Sequence, residues 1–90
     1  MENGLEKDII RVLKALSGLI KRSNYRTEFR KTINDTEFLL ESLLESFKKG
    51  LKISKEEAET LKSNLSKLKT GVFEGREEIV NSINEIKKQS

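Results

Sequence analysis

The chain of 90 residues contains no cysteine, no histidine, no proline and no tryptophan. Without cysteine it forms neither a disulfide framework nor a thiolate metal site, and without histidine it lacks the usual proton shuttle at neutral pH. A Ser–His catalytic pair is excluded, and the remaining residues show no glycine-rich phosphate loop, paired-carboxylate spacing or zinc motif. We therefore predict a protein that is not an enzyme and that holds no metal and no cofactor.

Chain length and net charge further limit the classes of protein to which this sequence can belong. We expect a single domain over residues 1–90, because a chain of this length buries only about 60% of the surface that its unfolded form exposes. The 18 Lys and Arg against 15 Asp and Glu give a formal charge of +3, which is low for a dedicated nucleic-acid coat. Charges interrupt the apolar residues near the N-terminus, so we expect neither a signal peptide nor a membrane-spanning helix, and a cytoplasmic location.

Apolar residues recur at helical spacing through most of the chain, and no alternating β pattern of useful length occurs. Because proline is absent, the five glycines are the main signals that end helices. The pattern predicts an all-α bundle of three to four antiparallel helices, either closed within one chain or completed by homodimerisation. The expected helices cover about residues 5–21, 24–49, 55–70 and 75–88.

The ends of these helices are predicted with different sharpness. Gly50 is suited to a left-handed residue after the second helix, and Ser54 with Glu57 forms the pattern of a capping box before the third. Two points stay open. Residues 34–35 either lie within a continuous helix, which we favour, or break it with an N-cap, and residues 71–75 either turn or continue one long helix.

The second helix carries two opposite charge clusters. Arg26 and Arg30 lie on roughly the same side as Glu37, Glu41 and Glu45, with the cations toward the helix start and the carboxylates toward its end. This order opposes the helix dipole, so an additional contact is expected to offset it. An antiparallel second copy would pair the two clusters across a two-fold axis, which predicts a homodimer as one alternative.

The stretch KRSNYRTEFRK at residues 21–31 is the most basic segment. Its cations Arg22, Arg26, Arg30 and Lys31 are candidates for phosphate contacts, which would be driven by the nucleic-acid backbone and weakened by salt. A solvated or partner-facing helix flank is the alternative that we favour. The adjacent aromatic side chains follow the apolar stripe, whereas stacking on bases requires exposed rings.

Two apolar segments complete the set of candidates. Val72 and Phe73, between two glycines, form either a cap that packs inward, which we favour, or an exposed anchor for a partner. The first helix has a cationic polar face and a broad apolar face, as do helices that lie on anionic membranes. In architecture only, such a small bundle resembles bacterial immunity proteins, a resemblance that no motif supports and that implies a role at a membrane surface.

These observations favour a helical protein that binds another macromolecule, and we expect that partner to be a protein. Adaptor, inhibitor and assembly factor all fit this description, and the composition is compatible with a viral or mobile-element origin. The alternatives are a nucleic-acid-associated regulator that uses residues 21–31 and an immunity-type protein at a membrane surface. The sequence names neither the partner nor the process, and it leaves the oligomeric state open.

Overall fold

The computed structural model describes residues 4–22, 27–50 and 52–89, without the side chains of residues 20–22, 27–28 and 89. These residues form helices throughout, apart from short connections, and include no strand. The prediction of an all-α bundle is confirmed, and the described residues form four helices. The helices are α1 (Gly4–Arg22), α2 (Thr27–Lys49), α3 (Lys55–Gly71) and α4 (Glu77–Gln89).

Helix α2 is continuous through Asn34 and Asp35, so an N-cap break at this point is wrong. Both side chains are exposed, and Lys31 Nζ lies 3.4 Å from Asp35 Oδ2, one turn further along. Two residues of modest helix propensity do not end a helix whose buried face runs on beneath them. Continuity was the favoured prediction, and it is confirmed.

The connection from α2 to α3 follows local sequence chemistry. Gly50 has a φ of 72°, a left-handed conformation that costs other residues about 1–2 kcal/mol. The Ser54 Oγ accepts from the Glu57 backbone N–H at 3.1 Å, and Glu57 Oε1 accepts from the Ser54 backbone N–H at 3.1 Å. The predicted capping box is therefore present, and it places α3 directly after the turn.

The segment between α3 and α4 is a turn and not a continuing helix. The backbone N–H groups of Val72 and Phe73 both donate to the Leu68 carbonyl oxygen at 2.9 Å, which ends α3. Gly75 then takes a φ of 86°. Gly71 has a different role, because a Cβ added to it would lie 2.5 Å from Cε1 of Phe29 on α2. Glycine at this position leaves room for the tip of the Phe29 ring against the end of α3.

The four helices pack in a closed ring around one apolar core. Helix α1 packs most extensively against α4 and α2 against α3, while contacts of α1 with α2 and of α3 with α4 complete the ring. The core contains most of the predicted stripe positions of each helix. Its fully buried members include Ile9, Val12 and Leu16 of α1, Ile33 and Leu40 of α2, Leu61, Leu65 and Leu68 of α3, and Ile83 and Ile86 of α4.

Side-chain bonds join α1 to α4 and show that the two helices are antiparallel. The buried Ser82 Oγ donates to Asp8 Oδ1 at 3.0 Å and accepts from the Arg11 guanidinium at 3.0 Å. Arg11 Nε also lies 3.8 Å from Glu78 Oε1. The polar face that the sequence assigns to the first helix therefore contacts α4 at this point, instead of facing only water.

Candidate functional site

One aromatic side chain on α2 is unusually exposed to solvent. Among the described residues, Phe38 is 69% exposed, compared with 39% for Ile10 and 38% for Phe47. Phe38 follows Ile33 by five residues and precedes Leu40 by two, which places it about 140–160° around the helix from these buried side chains. Its ring therefore points away from the core, on the side of α2 that no other described helix covers.

Polar and charged residues surround this ring along the outer side of α2. Asn34 and Asp35 precede Phe38 by one turn, and Glu41 and Ser42 follow it by one turn. Together with Glu45, Ser46 and Lys49, the residues Phe38, Glu41 and Ser42 line a shallow depression of about 370 Å³. We call the stripe that runs from Lys31 to Lys49 through Phe38 the α2 outer face.

Two carboxylates of α2, Glu37 and Glu41, lie beside this ring without an ion pair to any cation that the structure describes. In contrast, Glu45 Oε2 lies 3.6 Å from Lys49 Nζ. Partial burial raises the pKa of Glu37, and the neighbouring negative charge of Glu41 raises it further. An incoming cation would relieve this repulsion, because an opposite charge favours the ionised carboxylate.

The predicted basic cluster is described only in part. Arg30 and Lys31 are exposed on α2, and Lys31 is paired with Asp35. Arg26 and the side chain of Arg22 lie outside the described residues. The structure therefore brings together the acidic members of the predicted charge pattern, Glu37, Glu41 and Glu45, along one side of α2, and leaves the arrangement of the four cations undescribed as a group.

The predicted apolar anchor between the glycines has a structural role. Phe73 has an exposure of 0%, and the Arg76 guanidinium carbon lies 5.9 Å from the centre of its ring. Val72 is half-buried and packs against the core. The pair caps the bundle, as favoured, and the alternative of an exposed anchor is wrong for Phe73 because its side chain has no surface left for a partner.

Helix α1 uses its apolar face within the protein. Leu5, Ile9, Val12, Leu16 and Leu19 are buried in the core, so most of this face is covered in the folded chain, while Ile10 is 39% exposed. Within residues 4–22, 27–50 and 52–89, no helix is long and apolar enough to cross a bilayer. The same residues hold no cluster of three or more acidic side chains placed to bind a metal ion.

Sequence reasoning missed Phe38 as a site residue. The signal was available, because the helical wheel places residue 38 opposite the stripe formed by Phe29, Ile33, Leu40 and Phe47. Large apolar side chains on the polar side of an amphipathic helix are informative when they stand among charges. A comparison of each aromatic residue with the predicted buried side of its helix would have identified it.

Comparison with known proteins gives no match: no family model fits the chain, and no curated protein or solved structure is significantly similar to it. We therefore infer the function from the geometry of the described surface.

Proposed function

We propose that this chain is a non-enzymatic helical protein that binds another protein through the α2 outer face. The single observation that carries the proposal is Phe38, an aromatic ring that is 69% exposed among polar and charged neighbours. Burying such a ring against a partner removes apolar surface from water, at about 25 cal/mol per Å². Aromatic anchors within a polar rim dominate the energetics of many protein interfaces.

The charges around Phe38 define the kind of partner that fits. Glu37 and Glu41 lie next to the ring without a described cationic partner, so a complementary surface offers an apolar recess bordered by lysine or arginine. Such a partner also explains why α2 tolerates carboxylates in its second half, which the helix dipole disfavours. Adaptor, inhibitor and assembly factor remain the roles that match a binding surface without catalytic groups.

The nucleic-acid and membrane alternatives have less support. A phosphate-binding role uses cations, and the exposed ring of α2 stands beside carboxylates that repel phosphate. A membrane-surface role uses the apolar face of α1, and most of that face is buried in the bundle core. No observation in the described residues favours either alternative over protein binding, and a cytoplasmic location remains a prediction.

The test places a photo-crosslinking phenylalanine analogue at position 38 of the chain in its native host. A matched control carries the same analogue at Glu85, an exposed position on α4. We expect a defined covalent adduct with one protein from position 38 and none from position 85. Co-purification of that protein is expected to fall at least about tenfold in Phe38→Ala and to persist in Ile10→Ala, a second exposed apolar position.

Two results would overturn this proposal. The first is equal crosslinking from positions 38 and 85, since that pattern indicates random collision and not a specific surface. The second is an adduct that contains two copies of this chain and nothing else. That adduct would assign the α2 outer face to the homodimer, in which Arg30 of one copy faces the carboxylates of the other.

A further inference from the structure

A second surface lies where α2 ends and α3 begins. Its lining residues come from the last two turns of α2, the connection at residues 52–54 and the first turns of α3, and they enclose about 560 Å³. No described residue of α1 or α4 belongs to this lining. The result is a trough between two antiparallel helix ends, which we call the α2–α3 groove.

The floor of the α2–α3 groove is apolar and incompletely covered. Its apolar lining consists of Leu43 and Phe47, one turn apart on α2, on one side and of Ile53 and Ala58 on the other. Phe47 is 38% exposed, and Ile53 and Ala58 are half-buried. Phe47 lies nine residues after Phe38, about 180° around α2, so the two rings are on opposite sides of the helix, and Ser46 is the one residue that lines both surfaces.

The rim of the groove is basic. Lys52, Lys55 and Lys62 line it, with Glu59 as the one carboxylate among the lining residues. The N-terminus of α3 lies at the same place, but Glu56 and Glu57 of its first turn offset the helix dipole, so the positive charge of the rim comes from the lysines. An apolar floor beneath a cationic rim is complementary to a ligand that has one apolar side and carboxylates along its edges.

From this arrangement we propose that the α2–α3 groove binds an acidic amphipathic helix of a partner protein. A trough between two helix ends accepts a third helix along its length, and the apolar residues of that helix at i, i+3, i+4 and i+7 reach the floor. Its carboxylates then face the three lysines. A second copy that presented its own groove to this one is a poor occupant, because that pairing would bring two lysine rims together.

A small ligand fits the same surface less well. Pockets for small molecules surround most of the ligand, whereas this trough has walls from only two helices and their connection. A helix uses such an open trough because its own outer side remains in water. The proposal is independent of the contact at Phe38, and the two are tested by different variants.

The experiment measures the fluorescence anisotropy of a synthetic peptide titrated with the whole chain. The peptide has about 15 residues, with leucine at helical spacing and glutamate elsewhere, and a second peptide replaces each glutamate by lysine. We expect the acidic peptide to bind with a Kd that rises with salt, because the rim charges are exposed to screening. The basic peptide is expected to bind at least about tenfold more weakly.

A pair of variants with equal net charge locates the binding. Lys52→Glu/Lys55→Glu reverses the rim and suits the start of α3, where acidic residues favour the helix dipole. Lys14→Glu/Lys67→Glu makes the same change at exposed positions outside the groove. We expect the first variant to raise the Kd of the acidic peptide at least about tenfold and the second variant to raise it by less than about twofold. Circular dichroism checks that both variants keep their helices.

Three outcomes would overturn the proposal: no binding of the acidic peptide to the unaltered chain, equal weakening by both double variants, or equal affinity for the two peptides. Phe38→Ala separates this result from the proposed function. Unchanged peptide affinity in Phe38→Ala supports the groove as a distinct surface. Loss of peptide binding in Phe38→Ala but not in Lys52→Glu/Lys55→Glu would move the peptide to the α2 outer face and so reject the groove.

Discussion

The α1–α4 pair and the α2–α3 pair differ in their contacts: polar side chains link the first pair, whereas the second pair leaves two aromatic rings partly exposed. Between α1 and α4, a buried hydroxyl of Ser82 joins Asp8 and Arg11 through hydrogen bonds. Among the described residues, no side-chain hydrogen bond or ion pair joins α2 to α3. Instead, that pair leaves Phe38 and Phe47 exposed in part.

This difference has a physical meaning. A buried polar link fixes how two helices meet, because each unpaired member would be costly in the interior. Exposed aromatic rings contribute little to folding stability, and the apolar surface that they leave in water can be buried when a partner binds. We infer that the α1–α4 pair mainly stabilises the bundle, whereas the α2–α3 pair carries both proposed binding surfaces.

The largest expected effect on stability comes from comparing two apolar positions of the α2–α3 pair, one buried and one partly exposed. Leu65 is fully buried, so Leu65→Ala is expected to lower the free energy of unfolding by about 2–5 kcal/mol through lost burial and a cavity. Phe47 is partly exposed, so Phe47→Ala is expected to cost about 1–2 kcal/mol. Urea denaturation measures both values. Equal losses would contradict the assignment of Phe47 to an open surface.

The contact between Gly71 and Phe29 tests how closely α2 and α3 approach. Because an added Cβ would lie 2.5 Å from the Phe29 ring, Gly71→Ala is expected to cost about 1–3 kcal/mol through overpacking. In a Phe29→Ala background the same change should cost much less, since alanine is the better helix former by about 1 kcal/mol. A double-mutant cycle measures this coupling, and additive losses would argue against the close approach.

Loss of the Ser82 hydroxyl tests the polar link on the other side of the bundle. Ser82→Ala is expected to lower the free energy of unfolding by about 0.5–1.5 kcal/mol, because the half-buried Asp8 and the exposed Arg11 each lose one hydrogen bond. Ser63→Ala, at an exposed position of α3, serves as the control and should change stability by less than about 0.5 kcal/mol. Thermal or urea unfolding of the two variants distinguishes a structural link from surface polarity alone.

The smallest expected effect concerns Glu37 and depends on pH. Its pKa is raised in the folded state from an ordinary value of 4.5, so the folded protein binds more protons than the unfolded chain just above that value. Stability from this group is therefore complete below pH 4.5 and is lost as pH rises through the folded pKa. Glu37→Gln should equal the wild type in acid and exceed it slightly at neutral pH. Unfolding curves across this range give the difference, and a lower stability at neutral pH would contradict it.

Most of the fold was predictable because its signals are local. The capping box of Ser54 and Glu57 and the turn at Gly50 depend on residues within one helical turn of each other. The end of α3 also depends on near neighbours, because Val72 and Phe73 donate hydrogen bonds to the Leu68 carbonyl oxygen. The bend at residues 71–75 was one of two alternatives, since glycine permits a turn without requiring it, and the packing of Phe73 into the core selects it.

The two proposed binding surfaces were less predictable than the fold. The sequence pointed to Glu37, Glu41 and Glu45 as members of a charged face, and the structure places them on one side of α2. It did not point to Phe38 or to the lysines at residues 52, 55 and 62. A sequence pattern shows which side of a helix is apolar, but it does not show which stretch of that side a neighbouring helix will cover.

The amino-acid sequence alone determined the helical class, the approximate helix ends and the absence of cysteine and histidine chemistry, because these follow from composition and from bonds between near neighbours. Tertiary structure decided that α1 pairs mainly with α4, that Ser82 bridges Asp8 and Arg11, and that Phe38 stays in water while Phe73 does not. Those outcomes depend on which distant apolar stripes bury each other with the fewest unpaired polar groups, a property of the whole packed chain and not of any one segment.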